Sequence, residues 1–356
     1  MPLSPKSVIV IGGGVVGLCI AVAAQARGHE VTLVARDRSE DTASGIAAGM
    51  IAPALEAMND PDPAISFRRL TEAQAAWFDL LDLWPEPAQR LLADARWRGN
   101  TLYRFASEEP GQDRLAHLKL TGAQVDWLSR DDVLATGFDP EVCMLAKVTG
   151  DWLIEAAALL PALRDGLAPG RTVTGEVVDI SAHRAELATG DVLEADEVIV
   201  AAGFDSIAFA REVPSLARLL PIKGHLLDVP GVERYGVTRS ATGYYAGYGG
   251  RGKFGASMQD GKADLSVEPD VVADLERRAR TLDLDTHGAV PRVGVRAASP
   301  DGWPMIGRDR ASGVLVATAM RRNGYVFAPL AARMMLDVLA GGETPEAGMY
   351  DPDRFS

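Results

Sequence analysis

Cysteine is nearly absent: Cys19 and Cys143 are the only two in 356 residues. Two such thiols make no disulfide framework, and neither belongs to a C-x-x-C pair. Both read as buried small hydrophobes, which fits the cytoplasm. Histidine is equally scarce. His29, His117, His183, His225 and His287 are scattered without metal-ligand spacing, so no metal is expected. Basic residues are outnumbered, 36 Lys and Arg against 49 Asp and Glu, for a formal net charge of -13. That balance argues against nucleic acid or an anionic membrane surface as the main partner, and leaves room for a local basic pocket. No clear membrane span is present either. The most apolar stretch, residues 8–24, is short for a span, contains four glycines and has no basic leader beyond Lys6.

What is present begins at once. Val8-Ile9-Val10-Ile11 reads as a fully buried strand. Gly12, Gly14 and Gly17 follow with G-x-G-x-x-G spacing, and Val15, Val16 and the residues to Arg27 read as a helix closed by Gly28. Residues 31–34 form a second strand, completing a βαβ unit with the fingerprint at its first turn. Gly12 allows the tight turn, Gly14 lets a pyrophosphate approach the backbone, and Gly17 lets helix and sheet pack closely. The helix N-terminus offers N–H groups to phosphate. A ribose-binding acid belongs at the end of the second strand. The position in register is Ala35, followed by Arg36 and Asp37. Asp37 serves if the strand runs on; a backbone-only contact is the alternative, and Arg36 would suit a 2′-phosphate and NADP instead.

Residues 42–50 carry hardly a bulky side chain, and Ser44, Ala47, Ala48, Gly49 and Met50 read as a surface for a large flat ligand. Residues 63–84 are periodic in Phe67, Leu70, Ala73, Trp77 and Leu80, a helix ended by Pro85, with Trp77 and Trp84 in the core. From about Trp97 to Val142 short alternating runs suggest a second, more antiparallel domain. Residues 151–164 read as a helix with Asp151 as N-cap, and residues 171–180 as one strand holding Val173, Val177 and Val178. Residues 195–203 form a buried strand running into Ala202 and Gly203, at the kind of strand end where open α/β sheets bind ligands. Residues 220–292 return to hairpin material, including Gly249-Gly250 and a strand over 254–258. The last segment holds Arg296, the run 300–307, and Arg322-Asn323-Gly324-Tyr325 before a helix that contains Pro329 and stops at Gly341. Pro329 must kink that helix or sit near its start. The fold class expected is α/β, a Rossmann-like nucleotide-binding domain with an interleaved α+β domain on an antiparallel sheet. The boundaries are 1–80, 144–215 and 292–356 for the first domain, and 81–143 and 216–291 for the second.

These motifs together resemble the glycine oxidase branch of the D-amino acid oxidase family of FAD-dependent amine oxidases. The resemblance spans nearly the whole chain. It implies non-covalent FAD held by the fingerprint, Ser44–Met50, Val177 and Val178, Ala202 and Gly203, and Arg322–Tyr325. It implies that Arg296 clamps a substrate carboxylate, with Tyr245 sharing it; the neighbouring Tyr244 leaves that assignment open by one residue. Met258 lines the pocket, and Arg322 lies where the last helix begins. The implied reaction is oxidative deamination of glycine, sarcosine or a short D-amino acid. A hydride passes from the substrate Cα to flavin N5, giving an imine, then an oxo acid, and hydrogen peroxide; a place in thiamine biosynthesis accompanies that branch. The amine reacts when neutral, so activity rises with pH toward the amine's pKa. Two positions depart from the family: Ala297 follows Arg296 where proline is common, and Ala319-Met320 replaces Gly-His. They keep open a dehydrogenase that passes electrons to a quinone or protein acceptor instead of oxygen, and a flavoprotein that binds a carboxylate without turnover. Self-association is also implied.

Overall fold

The computed structural model describes residues 4–36, 42–94, 101–105, 108–342 and 347–356. Asp37 and Trp97 lie outside them. The N-terminal strand Ser7–Ile11 is central in a six-stranded sheet, parallel to Glu30–Ala35 on one side and Glu197–Val200 on the other. Thr172–Thr174 extends the first side, and Leu315–Thr318 and Met305–Arg308 the second. Val8 to Ile11 are all buried, as a parallel strand covered on both faces requires.

The helix Val15–Ala26 is buried from Val15 through Ala24 and is apolar all round, the mark of an internal helix. Gly324–Leu339 packs on it. Pro329 lies inside that second helix. It has no N–H to give to the Tyr325 carbonyl one turn back. The indole Nε1 of Trp77 donates to that carbonyl instead, at 2.9 Å, so the core tryptophan supplies the hydrogen bond that the proline omits. Trp77 comes from the helix Pro63–Asp79, capped by Asp62, whose side chain accepts from the Ile65 N–H.

A nine-stranded, mostly antiparallel sheet forms the second layer. Leu220–Pro230 is its long strand, paired along one edge with Val290–Ala298 and along the other with Arg251–Gly255 and Gln259–Asp260. Tyr244–Tyr248 and Arg251–Gly255 form a hairpin through Gly249 and Gly250, at φ +78° and +73°. That pair of left-handed residues makes the two-residue turn whose twist matches the strands. Tyr235–Arg239 and Thr101–Phe105 then lead to Met144–Val148 and Val125–Trp127. The sheet thus takes in strands on both sides of the boundaries expected at 143 and 291.

Two local expectations change. The strand expected over 171–180 is two strands in different sheets. Gly175 N–H donates to the Ala35 carbonyl at 3.0 Å, and Val177–Ser181 then turns away to pair antiparallel with Arg184–Leu187. The helix expected from Asp151 starts at Ala156, behind Glu155. Asp151 caps nothing; it is buried, with the Thr101 hydroxyl donating to it at 2.5 Å.

Candidate active site

The fingerprint turn is closed tightly. Gly12 N–H donates to the Val34 carbonyl at 2.9 Å, and Ala201 N–H to the Ile11 carbonyl at 2.8 Å. A side chain on Gly12, at φ +121°, would strike the Ala201 carbonyl and Ala202, and one on Gly17 would meet the Gly12 carbonyl oxygen at 1.9 Å. Beside Gly14 lies Ser44, whose Oγ accepts from the Val15 N–H at 3.0 Å and keeps its own proton to donate. Arg164, unremarked in the sequence, reaches the same turn. Its Nη2 stands 3.0 Å from where a Gly13 side chain would begin, buried and without a hydrogen-bond partner among the described residues. Bare glycine backbone, a free hydroxyl proton and an orphaned cationic N–H fit a pyrophosphate. Arg36, at the strand end, is exposed and ion-paired with Asp205.

A cavity of about 320 Å³ lies between this domain and the antiparallel sheet. Its floor includes Ala47, Ala48, Gly49 and Met50, together with Arg322, Asn323 and Tyr325. Tyr325 donates from its hydroxyl to the Ser44 carbonyl at 2.9 Å, and Tyr248 to the Ala48 carbonyl at 2.7 Å. Gly49, at φ +65°, sits so close to Ile154 that a side chain would meet its carbonyl oxygen at 1.7 Å. Gly324 starts the helix next to Val15.

Arg296 enters from the sheet side, on Val290–Ala298 opposite Ile222. Its guanidinium lies over Gly224, where any side chain would collide with it at 2.1 Å. Nη1 is buried and has no hydrogen-bond partner among the described residues. Burial pushes the guanidinium below its ordinary pKa, Tyr244 and Glu56 oppose that, and Arg322 adds to it. Met258 lines the cavity, 44% exposed.

Three expected contacts are corrected. Tyr245 is fully buried in a core cluster with Leu227, Phe254 and Leu275, its ring over Gly252 and its hydroxyl 3.5 Å from the Val232 carbonyl. Adjacent strand residues face opposite ways, so Tyr244 is the one at the cavity. Val178 is 54% exposed on the small antiparallel sheet, its side chain turned to solvent. Val177 packs into the core cluster around Val200, two residues past the contact between Gly175 and Ala35. Ala202 lies against Gly12 of the fingerprint, and the Gly203 carbonyl accepts from Thr318 Oγ1 at 2.8 Å.

Residues that the sequence analysis passed over complete the wall. Glu56 is buried and shared between Arg322, to which it is ion-paired, and Arg239, at 3.4 Å. Its only sequence signal was an acid inside the apolar run 51–58. Arg239 lies over the Tyr244 ring at 5.8 Å. Near both, Asp151 has its carboxyl pushed up to about 7, chiefly by burial and further by Glu56, against the Thr101 hydrogen bond and Arg239. The folded state therefore holds a proton there that the unfolded chain has released. Stability falls as pH rises from about 4 to about 7, and above that range the ionised carboxylate costs about 4 kcal/mol. Asp151→Asn is expected to stabilise the protein at pH 8 and to give no gain near pH 4. Urea melts at the two pH values check this.

Among the described residues no cluster of His, Cys, Asp and Glu could hold a metal ion, and no helix is long and apolar enough to cross a membrane. The chain is 25% identical to the glycine oxidase of Geobacillus kaustophilus over 95% of its own length and 93% of that protein. The crystal structure of glycine oxidase from Geobacillus kaustophilus superposes with a TM-score of 0.78, covering 98% of this chain and 99% of that one at 22% identity. The chain is also 26% identical to the tRNA 5-methylaminomethyl-2-thiouridine biosynthesis bifunctional protein MnmC of Idiomarina loihiensis, over 96% of this chain and 56% of that protein. The family model described as DAO, FAD dependent oxidoreductase, matches residues 7–338. The chain belongs to this family of FAD-dependent oxidoreductases.

Proposed function

We propose that the protein oxidises a small amine bearing a carboxylate: glycine, sarcosine or a short D-amino acid. The observation that carries this reading is the orphaned, buried Nη1 of Arg296, presented to the cavity across Gly224. A guanidinium cannot shed its charge, and it grips a carboxylate through two parallel hydrogen bonds. Arg296 binds the carboxylate, and Tyr244 beside it offers a hydroxyl proton that burial keeps in place. Bound FAD supplies the acceptor for the hydride that leaves the substrate Cα. The protein's task is then chiefly positioning. The cavity walls, Gly49 and Met50 below and the sheet above, fix the substrate and exclude water from it. Hydrolysis of the oxidised amine gives an oxo acid with ammonia from a primary amino acid, or with a smaller amine from an N-alkylated one such as sarcosine.

An anaerobic visible spectrum of the FAD-loaded protein, titrated with glycine, sarcosine, D-alanine and D-proline and then opened to air, tests this. Bleaching by at least one of them, with recovery and hydrogen peroxide in air, is expected of an oxidase. Bleaching that persists in air would assign the electrons to another acceptor. A flavin that no carboxylate-bearing amine reduces would overturn the reading.

A further inference from the structure

Five arginines line the cavity, Arg114, Arg239, Arg278, Arg296 and Arg322, against one carboxylate, Glu56. This concentration occurs in a chain whose formal net charge is -13. Glu56 is already divided between Arg322 and Arg239. Arg239 keeps a buried Nη1 with no hydrogen-bond partner among the described residues. Arg278 is backed by Asp274 at 2.9 Å and donates to the Thr242 carbonyl at 2.8 Å. Arg114 donates from Nε to the Tyr103 hydroxyl at 2.9 Å, and no ion pair links it to a carboxylate among the described residues. Like charges held in one cavity repel and raise its affinity for anions. A glycine or sarcosine carboxylate answers Arg296 alone.

Resting on the proposed function, we infer that the preferred substrate carries a second anion: a secondary amine of the N-(carboxyalkyl)glycine type. Arg296 holds the glycine carboxylate. Arg239, with Arg114 and Arg278, holds the far one. The sheet order sets their separation. Arg296 and Arg239 lie on strands four steps apart, through Leu220–Pro230, Arg251–Gly255 and Tyr244–Tyr248. Across the strands that is about 19 Å at the usual spacing, and Arg296 lies a further four residues along its strand from Arg292, which shares a row with Arg239. The two guanidiniums, one over Gly224 and one over the Tyr244 ring, both line the cavity. A dicarboxylate with a spacer bridges them, and the amine falls between.

The test is anaerobic flavin reduction of the FAD-loaded protein by matched pairs. N-(carboxyalkyl)glycines with one to four methylenes are compared with neutral N-alkylglycines of equal length. At the best length the anionic member is expected to bind about tenfold more tightly or better, and added salt to shrink the gap. In Arg239→Gln, and in Arg114→Gln with Arg278→Gln, the anionic-to-neutral ratio falls toward one, while Arg239→Lys keeps part of it. Each ratio is taken within one protein, so a general loss of folding or reactivity divides out. Neutral members binding equally well at every length would overturn the inference and leave the amine oxidase reading intact. An anionic preference that survives in every Gln variant would overturn it too. If neither series reduces the flavin while glycine or D-alanine does, the inference falls and the proposed function stands; if none of these amines reduces it, the proposed function itself falls.

Discussion

Arg296→Ala is expected to weaken binding of a carboxylate-bearing amine by about 2–5 kcal/mol, a loss of about 30- to 5,000-fold. The range is that for removing one partner of a desolvated charged pair, and the site fits it. Nη1 is buried without a hydrogen-bond partner among the described residues, so on the proposed reading the substrate carboxylate is the group that would complete it. Lysine at 296 would restore charge without the planar fork and recover only part of the loss. Stability should move the other way. In the free protein the guanidinium is a buried cation beside Arg322, held below its ordinary pKa. Arg296→Met keeps the stem's packing and removes the charge, so it should melt at or above the temperature of the unaltered protein. Flavin spectral titration gives the affinity and thermal melts give the stability. Unchanged affinity in Arg296→Ala would remove the clamp from the mechanism.

Gly17→Ala should be nearly as damaging, for a different reason. Its added methyl would lie 1.9 Å from the Gly12 carbonyl oxygen. That oxygen belongs to a turn fixed by hydrogen bonds to Val34 and through Ala201, so the helix must back away from the sheet. Such overpacking costs about 3 kcal/mol or more. If this turn holds the pyrophosphate, that strain corresponds to a loss of about a hundredfold in FAD affinity. Gly28→Ala is the control. Gly28 has φ +90° and open space around it, so alanine there pays only left-handed strain of about 1 kcal/mol. Isothermal titration with FAD should separate the two; equal affinities would show that the fingerprint packing does not govern the cofactor.

The nucleotide-binding half was legible because its signals are local. A β-branched strand, spaced glycines and an apolar helix stand within 30 residues, and each carries its own periodicity. Arg296 was legible through resemblance. Tyr244 and Tyr245 show the limit of such a reading. Both are aromatic neighbours on one strand, and only the pleat, set by pairing with Thr238 and Arg239, decides which ring meets the cavity. Arg239 and Glu56 were beyond reach for the same reason at longer range. They meet across 183 residues, Glu56 from the short helix Pro53–Ala57 and Arg239 from the end of the strand Tyr235–Arg239. Asp151 misled because a carboxylate before an apolar helix has the pattern of a cap, and nothing local shows the Thr101 hydroxyl that takes it instead.

The central place of Ser7–Ile11 in the parallel sheet sets a timetable for synthesis. This strand is made before its neighbours in the sheet: Glu197–Val200 follows almost two hundred residues later, and Leu315–Thr318 later still. Val15–Ala26, apolar on every side, waits for Gly324–Leu339 to cover it. Contacts of such long sequence separation form slowly, and until they form the nascent chain exposes strand edges and apolar surface. Apolar surface on Val15–Ala26 therefore stays uncovered until Gly324–Leu339 has been made, and the cavity floor at Arg322, Asn323 and Tyr325 is completed no earlier.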